Sequence, residues 1–280
     1  MTQPFVKWAG GKRQLLPAIL SRLPMDIGTF YEPFVGGGAV FFALAREGTF
    51  NQAIINDLNE DLMQAYRMLA SSDGVGAVCT LLKTYPFEPA FFTEIRSRNP
   101  NTLNEAEKTA RFIYLNKAGF NGLYRVNKKG EFNVPIGKYT NPNICDEDNL
   151  IAVSQCLHQK IEFQSQDFET SVEPAVAGDV VYFDPPYLPR SETSNFTAYT
   201  EEGFGLSAHK RLADTFKRLA ERGVVVLLSN ADVPKTHELY EGFTIDIVEA
   251  RRNINSKGDK RGNVTECLIG ANLPASQVEE

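Results

Sequence analysis

The chain has 280 residues, 42% of them apolar and 23% charged, enough for one large α/β domain with a smaller inserted one around a real core. Its net charge of −6 argues at first against a polyanionic partner, and its longest aliphatic run, Val224 to Leu228, falls far short of the roughly 20 apolar residues that span a bilayer. The first residues reach Lys7 without an apolar leader stretch, so a soluble, cytoplasmic protein with no membrane partner is expected.

Short runs rich in β-branched and aromatic residues predict seven strands: Thr29 to Val35, Gln52 to Leu58, Ile161 to Phe168, Asp179 to Phe183, Val224 to Ser229, Phe243 to Val248 and Thr265 to Ala271. Between them, apolar periodicity predicts helices over Ala39 to Glu47, closed by Gly48, and over Ala208 to Arg222, capped by Ser207 and stopped at Gly223. Strand, helix and strand in alternation mean βαβ units and a largely parallel sheet. The last two strands have no helix between them, so their polar, basic connection, Ala250 to Asn263, reads as a mobile loop on an antiparallel edge.

The strand rhythm stops between Asp61 and Asp148, where helical stretches around Leu62 to Ala70 and Ala106 to Lys117 precede a Gly/Asn-rich segment. That segment, Asn116 to Tyr139, carries the turn pairs Asn121-Gly122 and Lys129-Gly130 among aromatic and basic residues, as in a hairpin with exposed polar functions. The expected organisation is therefore a main domain over 1–61 and 145–273, an insertion over 62–144, and a disordered tail over 274–280.

Charge is unevenly spread. Residues 1–25 hold +4, residues 108–140 hold +6 and residues 250–264 hold +4, which leaves −20 for the rest. Three basic tracts in an otherwise acidic chain suggest a polarised surface able to meet a polyanion. Cys79, Cys145, Cys156 and Cys267 form no CxxC, and His158, His209 and His237 stand in unrelated places, so free thiols and no metal are expected.

Three motifs carry chemistry. In YEPFVGGGAVFF, Tyr31 to Phe42, a strand gives way to Gly36-Gly37-Gly38 and then a helix, which lets backbone approach a ligand closely. It is not a dinucleotide fingerprint, because Phe41 stands where the third glycine belongs, and WAGGKRQ is no P-loop, because Arg13 follows Lys12. The second strand ends at Asp57, where a carboxylate holds ribose hydroxyls in doubly wound folds; alone it would read as a helix cap.

The third motif, DVVYFDPPY, ends an apolar strand in Asp184, Pro185, Pro186 and Tyr187. Prolines fix φ and donate no N–H, so a carboxylate and a backbone carbonyl are left as two acceptors, suited to an exocyclic amino group. Tyr187 offers a ring face to a planar base.

Taken together, KWAGGK, EPFVGGGAVFF, NDLNEDL, LNKAGFNGLYRVNKKGEFNVPIGKY, DPPYLPRSETSNFTAYTEEGF and LSNAD resemble the Dam-type, D12 class DNA adenine-N6 methyltransferases over about Pro4 to Asn272. The resemblance implies the class I S-adenosylmethionine-dependent fold, a seven-stranded, mostly parallel sheet with an inserted, mainly helical target-recognition domain. It implies that Trp8, Lys12, Phe34, Gly36, Gly38, Asp57, Asp167, Phe168 and Asp184 line the S-adenosylmethionine pocket. Asp184, Pro185, Pro186 and Tyr187 would hold a flipped adenine for direct methyl transfer. Lys7, Phe120, Asn121, Leu123, Arg125, Pro135 and Tyr139 would read GATC in double-stranded DNA, with Arg125 chelating guanine O6 and N7, Lys7 on another guanine and Phe120 wedged into the stack.

One departure is Ala208-His209, where an acidic residue and Gln are expected. Rival readings are methylation of a glutamine or RNA amino group, a DNA-binding regulator without turnover, and a nicotinamide oxidoreductase. Asp184 and the large insertion count against the first, the intact glycine turn, Asp57 and the Asp184-Pro185-Pro186-Tyr187 motif against the second, and the missing third glycine against the third.

Overall fold

A computed structural model describes residues 2–8, 10–190, 204–251 and 263–275. Most of the expected loop over Ala250 to Asn263, residues 191–203 after the Asp-Pro-Pro-Tyr turn, and 276–280 of the expected tail lie outside the described residues. The strands are β1 (Ile27–Glu32), β2 (Phe50–Asn56), β3 (Ile161–Gln164), β4 (Val180–Phe183), β5 (Val225–Ala231), β6 (Thr244–Arg251) and β7 (Asn263–Ala271). They form one sheet in the order β3-β2-β1-β4-β5-β7-β6. β1 runs parallel to β2 and β4, and β4 parallel to β5, whereas β7 is antiparallel to β5 and β6. The expected seven strands and antiparallel edge are both present.

Their ends differ from the sequence reading. β1 stops at Glu32 because Pro33 has no N–H to continue a ladder, and β2 stops at Asn56, whose amide group donates to the carbonyls of Pro33 (2.9 Å) and Gln166 (3.0 Å). β3 ends at Gln164, and Asp167 then caps a short helix, α8 (Phe168–Val172), accepting from the Glu169 N–H at 3.0 Å. Phe168 is thus helical rather than part of a strand.

The chain divides into two compact units. The first comprises residues 1–11, 35–48 and 57–165, which include the whole expected insertion. It carries the helices α2 (Ala39–Glu47), α3 (Glu60–Ala70), α4 (Gly74–Lys83), α5 (Pro89–Ser97), α6 (Glu105–Ala118) and α7 (Glu147–Leu157). α6 is its centre. Asn104 and Glu107 close a capping box at its start, and every side chain from Thr109 to Asn116 is buried. The buried Arg111 on α6 donates to the carbonyls of Ile95 and Arg96, both at 3.0 Å, near the end of α5.

Helices α4, α5 and α7 were not read from sequence. α4 contains Gly74 and Gly76, poor helix formers, and forms because Val78, Cys79 and Leu82 find buried positions.

The second unit comprises residues 12–34, 49–56 and 166–280 and contains six of the strands with α1 (Leu16–Leu20), α8, α9 (Leu206–Glu221) and α10 (Pro234–Leu239). Its core joins Val181 and Phe183 of β4, Val226 and Leu228 of β5 and Ile269 of β7 to Leu212, Phe216 and Leu219 of α9. Wholly buried β4 reads as a continuous apolar run because parallel strands are covered on both faces. α9 begins after Gly205, not at Ser207, and Ser207 makes no cap; its expected stop at Gly223 (φ 80°) is present. Among the described residues no helix is long and apolar enough to cross a membrane.

Candidate active site and nucleic-acid interface

In the second unit the sheet order reverses direction beside β1, whose neighbour β4 carries the Asp184 turn on its carboxyl end. Such a switch point is where open α/β sheets bind ligands. Asp184 emerges from the buried strand with its side chain 19% exposed, and Lys12 Nζ lies 2.7 Å from its Oδ1. Ser229 of β5 donates to the same oxygen at 3.1 Å and stands 3.0 Å from the phenol of Tyr182, which must then donate to the serine. Both described contacts fall on Oδ1, so Oδ2 keeps its capacity to accept an N–H. Burial pushes the Asp184 carboxyl above the usual range, while Lys12 and Ser229 pull it down.

The turn that follows is held as firmly. Tyr187 donates its hydroxyl to Glu266 of β7 at 2.7 Å, and Lys12 Nζ lies 4.7 Å from its ring centre. The Leu188 N–H donates to Asn230 Oδ1 at 3.0 Å, and Arg190 donates to the Thr265 carbonyl. Lys12, Asp184, Pro185, Pro186 and Tyr187 are therefore one constellation.

Phe34 packs against Phe168 (ring centres 5.5 Å), Phe183 (6.3 Å) and Phe204 (5.4 Å), an apolar cluster in the same unit. Besides capping α8, Asp167 pairs with Arg211 at 2.7 Å, and that guanidinium lies 5.1 Å from the Phe168 ring centre. His209 packs edge-on against Phe204 at 4.8 Å; burial pulls its ring down to about 4, so it is neutral at pH 7.

The glycine turn belongs to the first unit. Gly36 (φ 48°) and Gly38 (φ 72°) occupy the left-handed region, and a Cβ on Gly36 would lie 2.6 Å from the Trp8 indole. Asp57 accepts the N–H of Gly36 at 3.1 Å through one oxygen and that of Asn59 at 2.9 Å through the other. Burial raises its carboxyl, and those two N–H groups oppose the shift. The Tyr66 hydroxyl ties the Gly36 carbonyl at 3.0 Å. Trp8, Gly36 and Asp57 are brought together, each carboxylate oxygen retaining a lone pair for a hydroxyl donor.

The expected reading segment is also in the first unit. It is a loop closed by two isolated bridges, Gly119 with Ile136 and Val126 with Phe132, rather than a regular hairpin. Buried Asn116 clamps it: its side-chain carbonyl accepts the Lys7 N–H at 2.8 Å, and its NH₂ donates to the carbonyls of Lys7 (2.7 Å) and Gly122 (2.8 Å). Lys7 Nζ sits 4.6 Å from the ring centre of Tyr139, whose hydroxyl donates to Gly119 at 3.0 Å.

Phe120 donates its N–H to the Pro135 carbonyl at 2.9 Å and is 46% exposed; Leu123 is 42% exposed. Asn121 adopts φ 55°, and exposed Arg125 donates to Asn133 at 2.7 Å. Tyr124 points the other way, stacked on Trp8 (6.2 Å, 21°) and donating to Asp61 at 2.5 Å. All seven expected DNA contacts thus belong to one local structure.

Sequence reading missed Ser229, Asn230 and Glu266, which hold the turn around Asp184 and Tyr187, and Asn116, which holds the Phe120 to Arg125 loop. The only available signal was that Ser229 and Asn230 lie in LSNAD and Asn116 opens the Asn116 to Tyr139 block, motifs that say nothing of roles.

Residues 8–254 match the D12 class N6 adenine-specific DNA methyltransferase family. The Type II methyltransferase M1.LlaDCHI of Lactococcus lactis subsp. cremoris is 44% identical over 274 residues, covering 95% of this chain and 94% of its own. The Type II methyltransferase M.MjaIII of Methanocaldococcus jannaschii is 44% identical over 286 residues, covering 95% and 98%. A DNA adenine methylase of Escherichia coli is 35% identical over 266 residues, covering 94% and 93%. The order of motifs, the seven-stranded sheet and these similarities agree: the chain belongs to the D12 class of N6 adenine-specific DNA methyltransferases.

Proposed function

We propose that this methyltransferase modifies the adenine of GATC in duplex DNA, using S-adenosylmethionine as donor and an everted target base. The observation that carries this reading is the acceptor turn: a partly buried carboxylate fixed through one oxygen by Lys12 and Ser229, followed by two prolines and an anchored tyrosine. When bound, the cofactor supplies an electrophilic methyl on a sulfonium. The chain's own residues fit such a ligand in chemical type. Asp57 beside the open Gly36 backbone suits ribose hydroxyls, and the Phe34 and Phe168 rings suit a purine face.

Toward the target base, Asp184 Oδ2 and the Pro185 carbonyl would accept the two hydrogens of the exocyclic amine. The amine of adenine is conjugated with its ring and weakly nucleophilic. Two acceptors favour the pyramidal form whose lone pair can attack. Tyr187, held by Glu266, would stack on the base, and the protein's contribution is position rather than a covalent intermediate. Everting the base costs on the order of a few kcal/mol, recovered from these contacts.

For sequence, Arg125 would chelate one guanine, Lys7 would donate to another, and Phe120 would fill the vacated stack. We also assign residues 62–144 as the DNA-reading module, since the segment around Phe120 to Arg125 presents apolar and basic groups together.

The test uses labelled S-adenosylmethionine with duplexes carrying GATC, each single-base variant, GATC already methylated on both strands, and an RNA duplex. Label is expected as N6-methyladenine in unmethylated GATC alone. Equal labelling of the variants would remove the GATC assignment, and label in RNA or protein would remove the substrate class.

A further inference from the structure

A second cluster lies on the same unit, outside the acceptor turn. Asp232 follows the end of β5, His237 is on α10 and Cys267 is on β7. His237 Nε2 stands 2.9 Å from Asp232 Oδ1, and Cys267 Sγ lies 3.8 Å from each of those atoms. We infer that Asp232, His237 and Cys267 form a binding site for a zinc-class divalent cation. A triangle with these edges has a circumscribed radius of about 2.1 Å, against zinc bonds of about 2.0–2.3 Å to imidazole, carboxylate and thiolate. Three bonds can therefore close with shifts of a few tenths of an ångström.

Donor chemistry selects the metal. One thiolate, one imidazole and one carboxylate suit zinc, whereas magnesium and calcium take oxygen-only shells. A carboxylate and a thiolate together carry two negative charges, which a divalent cation neutralises. Cation binding expels the thiol proton of Cys267 to solvent as the sulfur–metal bond forms. His237 and Asp232, 45% and 27% exposed, give a way in and leave the fourth position to water, while fully buried Cys267 anchors the site from the core. The site also adjoins the acceptor turn, since Cys267 follows Glu266 and Asp232 lies two residues past Asn230. A bound cation would brace the two strands, β5 and β7, that hold Leu188 and Tyr187.

The test titrates reduced, metal-free protein with cobalt(II) and follows the thiolate-to-cobalt charge-transfer band. One equivalent should develop the band, zinc should discharge it, and zinc should raise the melting temperature by on the order of a few degrees. Cys267→Ser should abolish the band and the melting shift. His237→Ala, at an exposed position that leaves the fold intact, should weaken binding at least about tenfold. Cys79→Ser should change neither. An Asp–His pair beside an ordinary buried thiol would give no band. That result, or a band that survives Cys267→Ser or disappears with Cys79→Ser, would overturn the site.

Discussion

The turn after β4 and the loop around Phe120 to Arg125 solve opposite problems. At the turn, Asp184, Tyr187 and the Leu188 N–H all have partners inside the same unit, and only one carboxylate oxygen is left to accept. In the loop, the backbone is clamped from below by Asn116, while Phe120, Leu123 and Arg125 stand exposed. The difference matches the work proposed for each. Methyl transfer needs acceptors aligned before the base arrives, because misalignment is charged directly to the barrier. Reading bases needs side chains that can reach into a groove, so order belongs to their backbone rather than to their tips.

Breaking the turn should have the largest effect. Asp184→Ala is expected to lower kcat by about 10²- to 10³-fold, the usual cost of losing a preorganised polar partner, while costing only about 1 kcal/mol of DNA affinity, the worth of the one contact to the amine. Single-turnover rates with parallel binding titrations check this. Retained turnover would show that the carboxylate is not the acceptor.

Next comes Arg125→Ala, which should cost about 1–3 kcal/mol of discrimination at one guanine position. A uniform loss across all duplexes would instead mark Arg125 as a phosphate contact. Phe120→Ala should be milder, slowing base eversion by about fivefold as seen by 2-aminopurine fluorescence at the target position, since the wedge offsets only part of the unstacking cost. An unchanged eversion rate would remove Phe120 from that role.

Lys12→Met sharpens the contrast with the smallest effect at neutral pH. Asp184 must be ionised to accept, burial already raises its carboxyl, and Lys12 opposes that rise. Removing the ammonium should therefore move the acid limb of the pH–kcat profile to higher pH and leave the plateau near its former height. An acid limb that stays in place, or moves down, would exclude the pairing.

Much of this was legible in the sequence because local signals and chemistry coincide there. The run Val180 to Phe183 followed by Pro185-Pro186 could only be a strand ending in a rigid turn, and α2 was bounded by glycines at both ends. The two left-handed glycines, Gly36 and Gly38, likewise stand where the triplet placed them. What escaped was set by distant partners. Ser229 and Glu266 reach the turn from strands far along the chain, and Asp232, His237 and Cys267 meet only once β5, α10 and β7 are assembled. Spacing rules search along one element, so a cluster shared by three is invisible to them. α4 and α5 escaped for a related reason: their stability comes from buried faces against neighbouring helices, not from propensity.

The claim on which the account rests is that Asp184 grips the amino group of the target base. A double-mutant cycle tests it directly, pairing Asp184→Ala with a duplex whose target adenine is replaced by purine, which lacks only that amine, and measuring duplex affinity in all four combinations. Coupling of about 1 kcal/mol or more is expected, because the carboxylate and the amine should each lose their value when the other is absent. Strictly additive losses would contradict the claim.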